Sequence, residues 1–315
     1  MATALITHPD CLRHELPPGH PERPARLTSV LKLLDAPEFS GLLRREAPFA
    51  AMAALTRAHS EEHVRSVLDA IPESGFVGID SDTLASPGSG DAALRAAGAV
   101  VLAVDMVMAG EAKNAFCAVR PPGHHATPTQ AMGFCLFNNV AVGALHARAI
   151  HGLRRVAVVD FDVHHGNGTQ DIFSPDRELF YASTHQWPLY PGTGRPGETG
   201  IDHNVVNRPL PPGAGGDVFR DALETGILPT LSAFKPEFLL ISAGFDAHRA
   251  DPLAQLRLNE DDFAWATSAL CAFADRVCGG RVVSALEGGY DLEATARSAQ
   301  AHVRALIAAS RSQHG

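Results

Sequence analysis

The sequence predicts an α/β fold, an open, mostly parallel sheet with helices on both faces and its active site at the strand carboxyl ends. Three observations predict it. Apolar runs of strand length recur at 116–119, 156–159, 238–241 and 282–286, and helical stretches separate them. Each run is followed at once by a polar, glycine-containing loop dense in His, Asp or Tyr. Near-continuous apolar strands belong to parallel sheets buried on both faces, and their alternation with helices is the pattern of an open α/β sheet. In such sheets all carboxyl ends face one way and ligands bind there, so four polar loops converge on one crevice.

The elements follow in order. A turn-rich segment, 16–24, holds four prolines (Pro17, Pro18, Pro21 and Pro24) and leads into a helical pattern over 26–34. The most apolar stretch, 92–109, is interrupted by Arg95 and Asp105. It is too short and too charged to span a membrane and reads as a buried helix. The strand at 116–119 opens into Arg120-Pro121-Pro122-Gly123-His124-His125, and a helix follows over 139–150. The strand at 156–159 opens into Asp160-Phe161-Asp162-Val163-His164-His165-Gly166. A helix over 218–234 contains Pro229, which is expected to end or kink it. The strand at 238–241 opens into Ser242-Ala243-Gly244-Phe245-Asp246-Ala247-His248, before a helix over 260–277. The strand at 282–286 opens into Glu287-Gly288-Gly289-Tyr290, and a helix over 292–309 completes the set.

Composition narrows the function. The chain has 315 residues, 45% hydrophobic and 19% charged, enough to bury a large core and hold a deep pocket. No repeat, low-complexity tract or Gly/Ser linker divides it, so one domain over 1–315 is expected. The formal net charge of -9, with Arg154-Arg155 as the nearest approach to a basic cluster, argues against a nucleic-acid surface. It suits a small cationic or neutral substrate. The five cysteines (Cys11, Cys117, Cys135, Cys271 and Cys278) are odd in number and form no CxxC pair. Buried thiols in a reduced cytoplasm are the expectation, rather than a disulfide framework. The first ten residues do not read as a signal peptide, and no membrane partner is expected.

The loops carry the chemistry. Asp162 and His164 stand two apart at a strand end, so both side chains point to one side and can reach one metal. Asp246, from another strand end, would complete a set of two oxygens and one nitrogen and leave a position for water or substrate, the arrangement of a catalytic zinc. Taken alone, an Asp-x-His pair such as Asp162 and His164 more often merely caps its loop, and it is Asp246 and the tandem histidines at equivalent strand ends that favour a metal. His124 and His125 follow a tight Pro-Pro-Gly turn from which both can approach a bound water, and His is the natural general base near neutral pH. Gly288 and Gly289 let Tyr290 approach the crevice closely, where its phenol could donate to an oxyanion.

Several runs resemble the signatures of the histone deacetylase family, class II type. They are Arg120-Pro121-Pro122-Gly123-His124-His125-Ala126, Gly133-Phe134-Cys135-Leu136-Phe137-Asn138-Asn139-Val140-Ala141, Asp160 through Gln170, Ser183-Thr184-His185, Tyr190-Pro191-Gly192-Thr193-Gly194, Ser242 through Asp246 and Leu286 through Tyr290. They stand in family order and cover nearly the whole chain. The resemblance implies an arginase/deacetylase-like fold with a narrow tunnel to one zinc ion, held by Asp162, His164 and Asp246. It makes His125 the general base and then acid, oriented by Asn167. His124, oriented by Asp160, supports the transition state, and Tyr290 binds the carbonyl oxygen. Gly133, Phe134 and Tyr190 would line the acyl-lysine tunnel, with Asp82 at the rim. The resemblance also implies one or two structural potassium ions. One would lie at Asp160, Asp162, His164, Ser183 and Thr184, the other at the carbonyls of Phe173, Asp176, Leu179 and Asn204, since hard cations favour oxygen-rich sites.

Three positions refine that reading. Asn167 stands where class I members carry an acid, in agreement with class II. Tyr290 is retained, as in the active members. Leu253 follows Asp251-Pro252 where polyamine-specific relatives carry a Glu, which favours acetyl-lysine-type substrates. The expectation is therefore a cytoplasmic zinc-dependent amidohydrolase acting on an acylated amine, with a homo-oligomer left open. An acetylpolyamine amidohydrolase is the alternative, and a catalytically silent acetyl-lysine binding module the remote one. A binuclear manganese ureohydrolase would need a second carboxylate set that the sequence does not offer. Zinc and ferrous iron remain open, since an Asp₂His set accepts either.

Overall fold

The computed structural model describes residues 1–311. Its strands are β1 (Thr3–Thr7), β2 (Leu43–Glu46), β3 (Val77–Gly78), β4 (Leu84–Ala85), β5 (Asn114–Cys117), β6 (Val156–Asp160), β7 (Leu179–Gln186), β8 (Val205–Leu210), β9 (Phe238–Ala243) and β10 (Val282–Leu286). The helices are α1 (Ala25–Leu34), α2 (Met52–Leu55), α3 (Glu61–Asp69), α4 (Ser89–Met108), α5 (Asn139–His151), α6 (Asn167–Phe173), α7 (Gly216–Asp221), α8 (Leu228–Phe234), α9 (Glu260–Cys278) and α10 (Leu292–Arg311). Eight strands form one sheet in the order β2-β1-β5-β10-β9-β6-β7-β8, parallel at every pairing, and β3 with β4 forms a separate antiparallel hairpin.

Burial explains the sheet. Every residue of β5, β6, β9 and β10 is buried, and these strands consist mainly of Val, Ala, Leu, Ile and Phe. Helices α4 and α5 pack together against the sheet as one group, and α1, α9 and α10 as another. Capping residues set helix limits. Asn138 accepts from the Ala141 amide to start α5, and the left-handed Gly152 closes it. Asn259 and Asp262 form a reciprocal capping box on α9, which ends at left-handed Gly279.

The four strands read from the sequence, β5, β10, β9 and β6, lie side by side at the sheet centre, so their loops meet directly. The outer strands were not legible as strands. β2 is an edge strand with exposed Arg44, Arg45 and Glu46, and β7 mixes Ser183, Thr184, His185 and Gln186 into its apolar run. The expected helix over 218–234 is corrected too. It begins at Gly216, and a π-helical turn at Ala222–Ile227 precedes α8. Pro229 lacks an N–H, and the wider turn before it lets the segment continue where a regular α-turn would clash.

Candidate active site

Asp162 and His164 lie just beyond β6, and Asp246 just beyond the neighbouring β9. One donor atom from each falls within 4.8 Å of the other two. His164 Nδ1 is 3.2 Å from Asp162 Oδ1 and 3.1 Å from Asp246 Oδ2. The remaining carboxylate oxygens are fixed by backbone. Gly288 N donates to Asp162 Oδ2 at 2.7 Å, and Val163 N to Asp246 Oδ1 at 2.8 Å. Burial alone would lower the pKa of His164, but the two carboxylates outweigh it and push it up to about 10. The pocket therefore favours positive charge at its centre. Position 288 must be glycine, because a Cβ there would lie 2.1 Å from Asp246 Oδ2 and 2.6 Å from Asp162 Oδ2.

The two histidines beyond β5 differ in their partners. His124 Nδ1 donates to Asp160 Oδ2 at 2.9 Å, and His125 Nδ1 donates to Asn167 Oδ1 at 2.8 Å. Burial lowers the pKa of both. For His124, Asp162 and Asp160 reverse the effect and push it up to about 10. For His125, burial is reinforced by His124 and His164, and the imidazole sits well below its usual range. His125 is thus neutral, with Nδ1 carrying the proton and Nε2 free to accept another.

A cavity of about 220 Å³ opens onto this centre, lined by His125, His164, Tyr290, Gly133, Phe134, Tyr190, Leu189, Asp82 and Leu253. All five residues expected at the tunnel are there. Tyr190 and Leu253, 38% and 36% exposed, stand at the mouth. The β3–β4 hairpin delivers Asp82, which also accepts from Gly133 N at 3.0 Å and so anchors the turn at Gly133-Phe134. The Tyr290 phenol is held well above its ordinary pKa by burial, so it remains a proton donor.

Other residues that shape the site escaped the sequence reading. Leu189 lines the cavity, and the His20 ring meets Phe134 edge-on at 4.9 Å. Asp251 accepts from Tyr290 N at 2.7 Å and from Leu253 N at 2.9 Å, which ties Tyr290 to the mouth. Glu287 accepts from Gly123 N at 2.6 Å and His124 N at 3.1 Å, holding the histidine turn. Behind it, fully buried Arg120 forks onto both oxygens of fully buried Glu22, each at 2.6 Å, and Arg26 reaches Glu22 at 2.8 Å. Burial would raise the Glu22 pKa, but Arg120 and Arg26 bring it down to about 2. Arg26 also donates to the carbonyls of Glu287 and Gly289 and covers the Tyr290 ring at 4.8 Å. The one signal available for these partners was an acid or arginine inside an otherwise apolar or turn-forming motif.

Asp160 and Ser183 are paired across β6 and β7, and Thr184 follows. The second expected potassium position is different. The carbonyls of Phe173, Asp176 and Leu179 do converge, but on the Asn204 side-chain nitrogen, and the Asn204 carbonyl accepts from Tyr181 N in the sheet. Among the described residues one further group could hold a metal, Asp105 with His146 and His151 between α4 and α5, away from the cavity.

Residues 20–306 match the histone deacetylase domain family. The chain belongs to that family. It is similar to a probable deacetylase of Archaeoglobus fulgidus, 40% identical over 302 residues, covering 93% of this chain and 82% of that one. It is likewise 40% identical over 277 residues to a histone deacetylase-like amidohydrolase of Pseudomonas aeruginosa, covering 86% and 73%. The solved structure of the HDA15 HD domain superposes with a TM-score of 0.91 at 37% identity, covering 98% of this chain and 88% of that one. The arginase/deacetylase fold is therefore established, and hydrolase activity is supported at the level of the family.

Proposed function

We propose that the chain is a zinc-dependent amidohydrolase, one catalytic unit that removes acetyl groups from N-acetyl-lysine or a similar acylated amine. The observation that carries the proposal is the Asp162–His164–Asp246 donor set at the foot of a cavity that His125 and Tyr290 also face. Two oxygens and one nitrogen around a centre that favours positive charge suit zinc, and three protein ligands leave room for substrate. Zinc bound there would polarise the acyl carbonyl and lower the pKa of a water.

The chain's own residues supply the rest. His125 takes a proton from the attacking water at Nε2, while its Nδ1–H stays on Asn167. The water oxygen bonds to the carbonyl carbon, and the Tyr290 phenol donates to the carbonyl oxygen as it becomes negative. His124, held by Asp160, stabilises that charge. As the C–N bond breaks, His125 returns its proton to the amine nitrogen, and acetic acid and the free amine leave. Phe134, Tyr190, Leu189 and Leu253 give the cavity apolar walls suited to a linear methylene chain. The apolar Leu253 at the mouth favours acetyl-lysine over a polycationic amine. A potassium ion at Asp160, Asp162, His164, Ser183 and Thr184 remains part of this reading. A cytoplasmic location fits the five free, buried cysteines. Among the described residues no helix is long and apolar enough to cross a membrane.

Hydrolysis of an acetyl-lysine peptide and an acetylated polyamine, side by side with and without chelator, tests the proposal. Preference for the peptide, lost on chelation and restored by zinc, is expected. Preference for the polyamine would overturn the substrate assignment, and turnover indifferent to chelation would overturn the metal.

A further inference from the structure

The carbonyl cluster between α6 and β7 is built like a cation site and filled by a side chain. Asn204 Nδ2 lies 2.9 Å from the Phe173 carbonyl oxygen, 2.9 Å from that of Asp176 and 2.8 Å from that of Leu179. An amide nitrogen has two hydrogens for these three acceptors. Three inward carbonyl dipoles make a negative pocket of the kind that hard cations occupy. At these distances the nitrogen holds the place an ion would need, and no atom fits between it and the oxygens.

The orientation of the amide follows from the same contacts. Its oxygen would repel three carbonyl oxygens, so the nitrogen must face inward. The outward Oδ1 is buried and has no hydrogen-bond partner among the described residues. It rests against Gly200, where a Cβ would lie 2.3 Å away and where φ is +64°. Room for the amide thus depends on a glycine four residues earlier. The Asn204 backbone is committed as well, its carbonyl accepting from Tyr181 N at 2.9 Å. The Asp176 carboxylate, held by Arg148 and by Glu178 N, stiffens the turn that presents the carbonyls.

We propose that the Asn204 amide is a built-in substitute for a monovalent cation, so that this cluster holds no potassium in this chain. The substitute fixes the end of α6 to β7 and β8 whatever the ionic composition. Because α6 begins at Asn167, the partner of His125, the clamp also steadies the proposed catalytic base. Only that last link rests on the proposed function.

The test is crystallographic and thermal. Crystals of the full chain soaked in a thallous salt should show no anomalous peak among the three carbonyls. Asn204→Ala removes the amide, and Asn204→Asp keeps its shape but replaces the donor with an acceptor. In both variants a thallium peak should appear at the cluster. Tm in potassium chloride over choline chloride should rise about 3 °C or more beyond any rise seen in the parent. A thallium peak at the cluster in the parent, with Asn204 turned away, would overturn the proposal even if neither variant folds. So would a variant as stable as the parent with no added response to potassium. Neither readout depends on deacetylation, so failure here is distinguishable from failure of the functional reading.

Discussion

His124 and His125 have ring centroids 4.0 Å apart and opposite proton affinities: Asp162 and Asp160 overcome burial at His124, whereas burial, His124 and His164 together hold His125 down. Asp160 offers His124 a charge, whereas Asn167 offers His125 only a dipole. Asn167→Asp should therefore raise the His125 pKa. The neutral base would then need higher pH, and the acidic limb of the kcat/KM profile should move up by about one pH unit. An unmoved limb would place the base elsewhere. Tyr290→Phe should lower kcat by about 10²–10³-fold with little change in KM, since the phenol acts on charge that grows in the transition state. At this scale the sequence was legible where the loops beyond the apolar strands offer side chains suited to one metal or to an oxyanion. That is how Asp162, His164, Asp246 and Tyr290 could be read. The roles of Arg120 and Glu287, which also follow apolar strands, could not be read, nor that of Glu22, because their partners come from segments distant in sequence and only the packed fold brings them together.

The loops beyond β6, β9 and β10 approach so closely that side-chain volume becomes the constraint. Gly288→Ala would push a methyl into Asp162 and Asp246, so zinc content and activity should fall together while the fold persists. Near-normal zinc content in that variant would show that the carboxylates can yield. The central strands were readable because they are buried on both faces and almost wholly apolar. β7 was not, because polar groups inside it are satisfied by one another and by a neighbouring loop, as where Ser183 Oγ meets His185 Nδ1 at 2.9 Å and His185 Nε2 meets the Gly194 carbonyl at 2.9 Å. The π-turn before Pro229 was also out of reach. A proline signals a break, and only packing decides whether the chain stops or widens its turn.

Across the whole molecule, burial keeps several histidines away from the Asp162–His164–Asp246 set neutral. Burial brings His14 and His59 down to about 4 and His302 down to about 3. In the unfolded chain each would take up a proton below about pH 6.5, while the folded chain refuses it until about pH 3–4. The stability they contribute is intact above that unfolded value and is lost as pH falls toward the folded ones. At pH 5 each represents up to about 2 kcal/mol. Tm should accordingly fall by several degrees between pH 7 and pH 5, and a flat Tm over that range would contradict the burial argument. The sheet they stabilise holds the four motif loops together, and what those loops bind is open to direct measurement. Metal-stripped protein should be inactive on an acetyl-lysine peptide, and titration with zinc should restore activity to saturation at one ion per chain, with no restoration in Asp246→Ala. Full activity in the stripped protein, or equal restoration without Asp246, would contradict it.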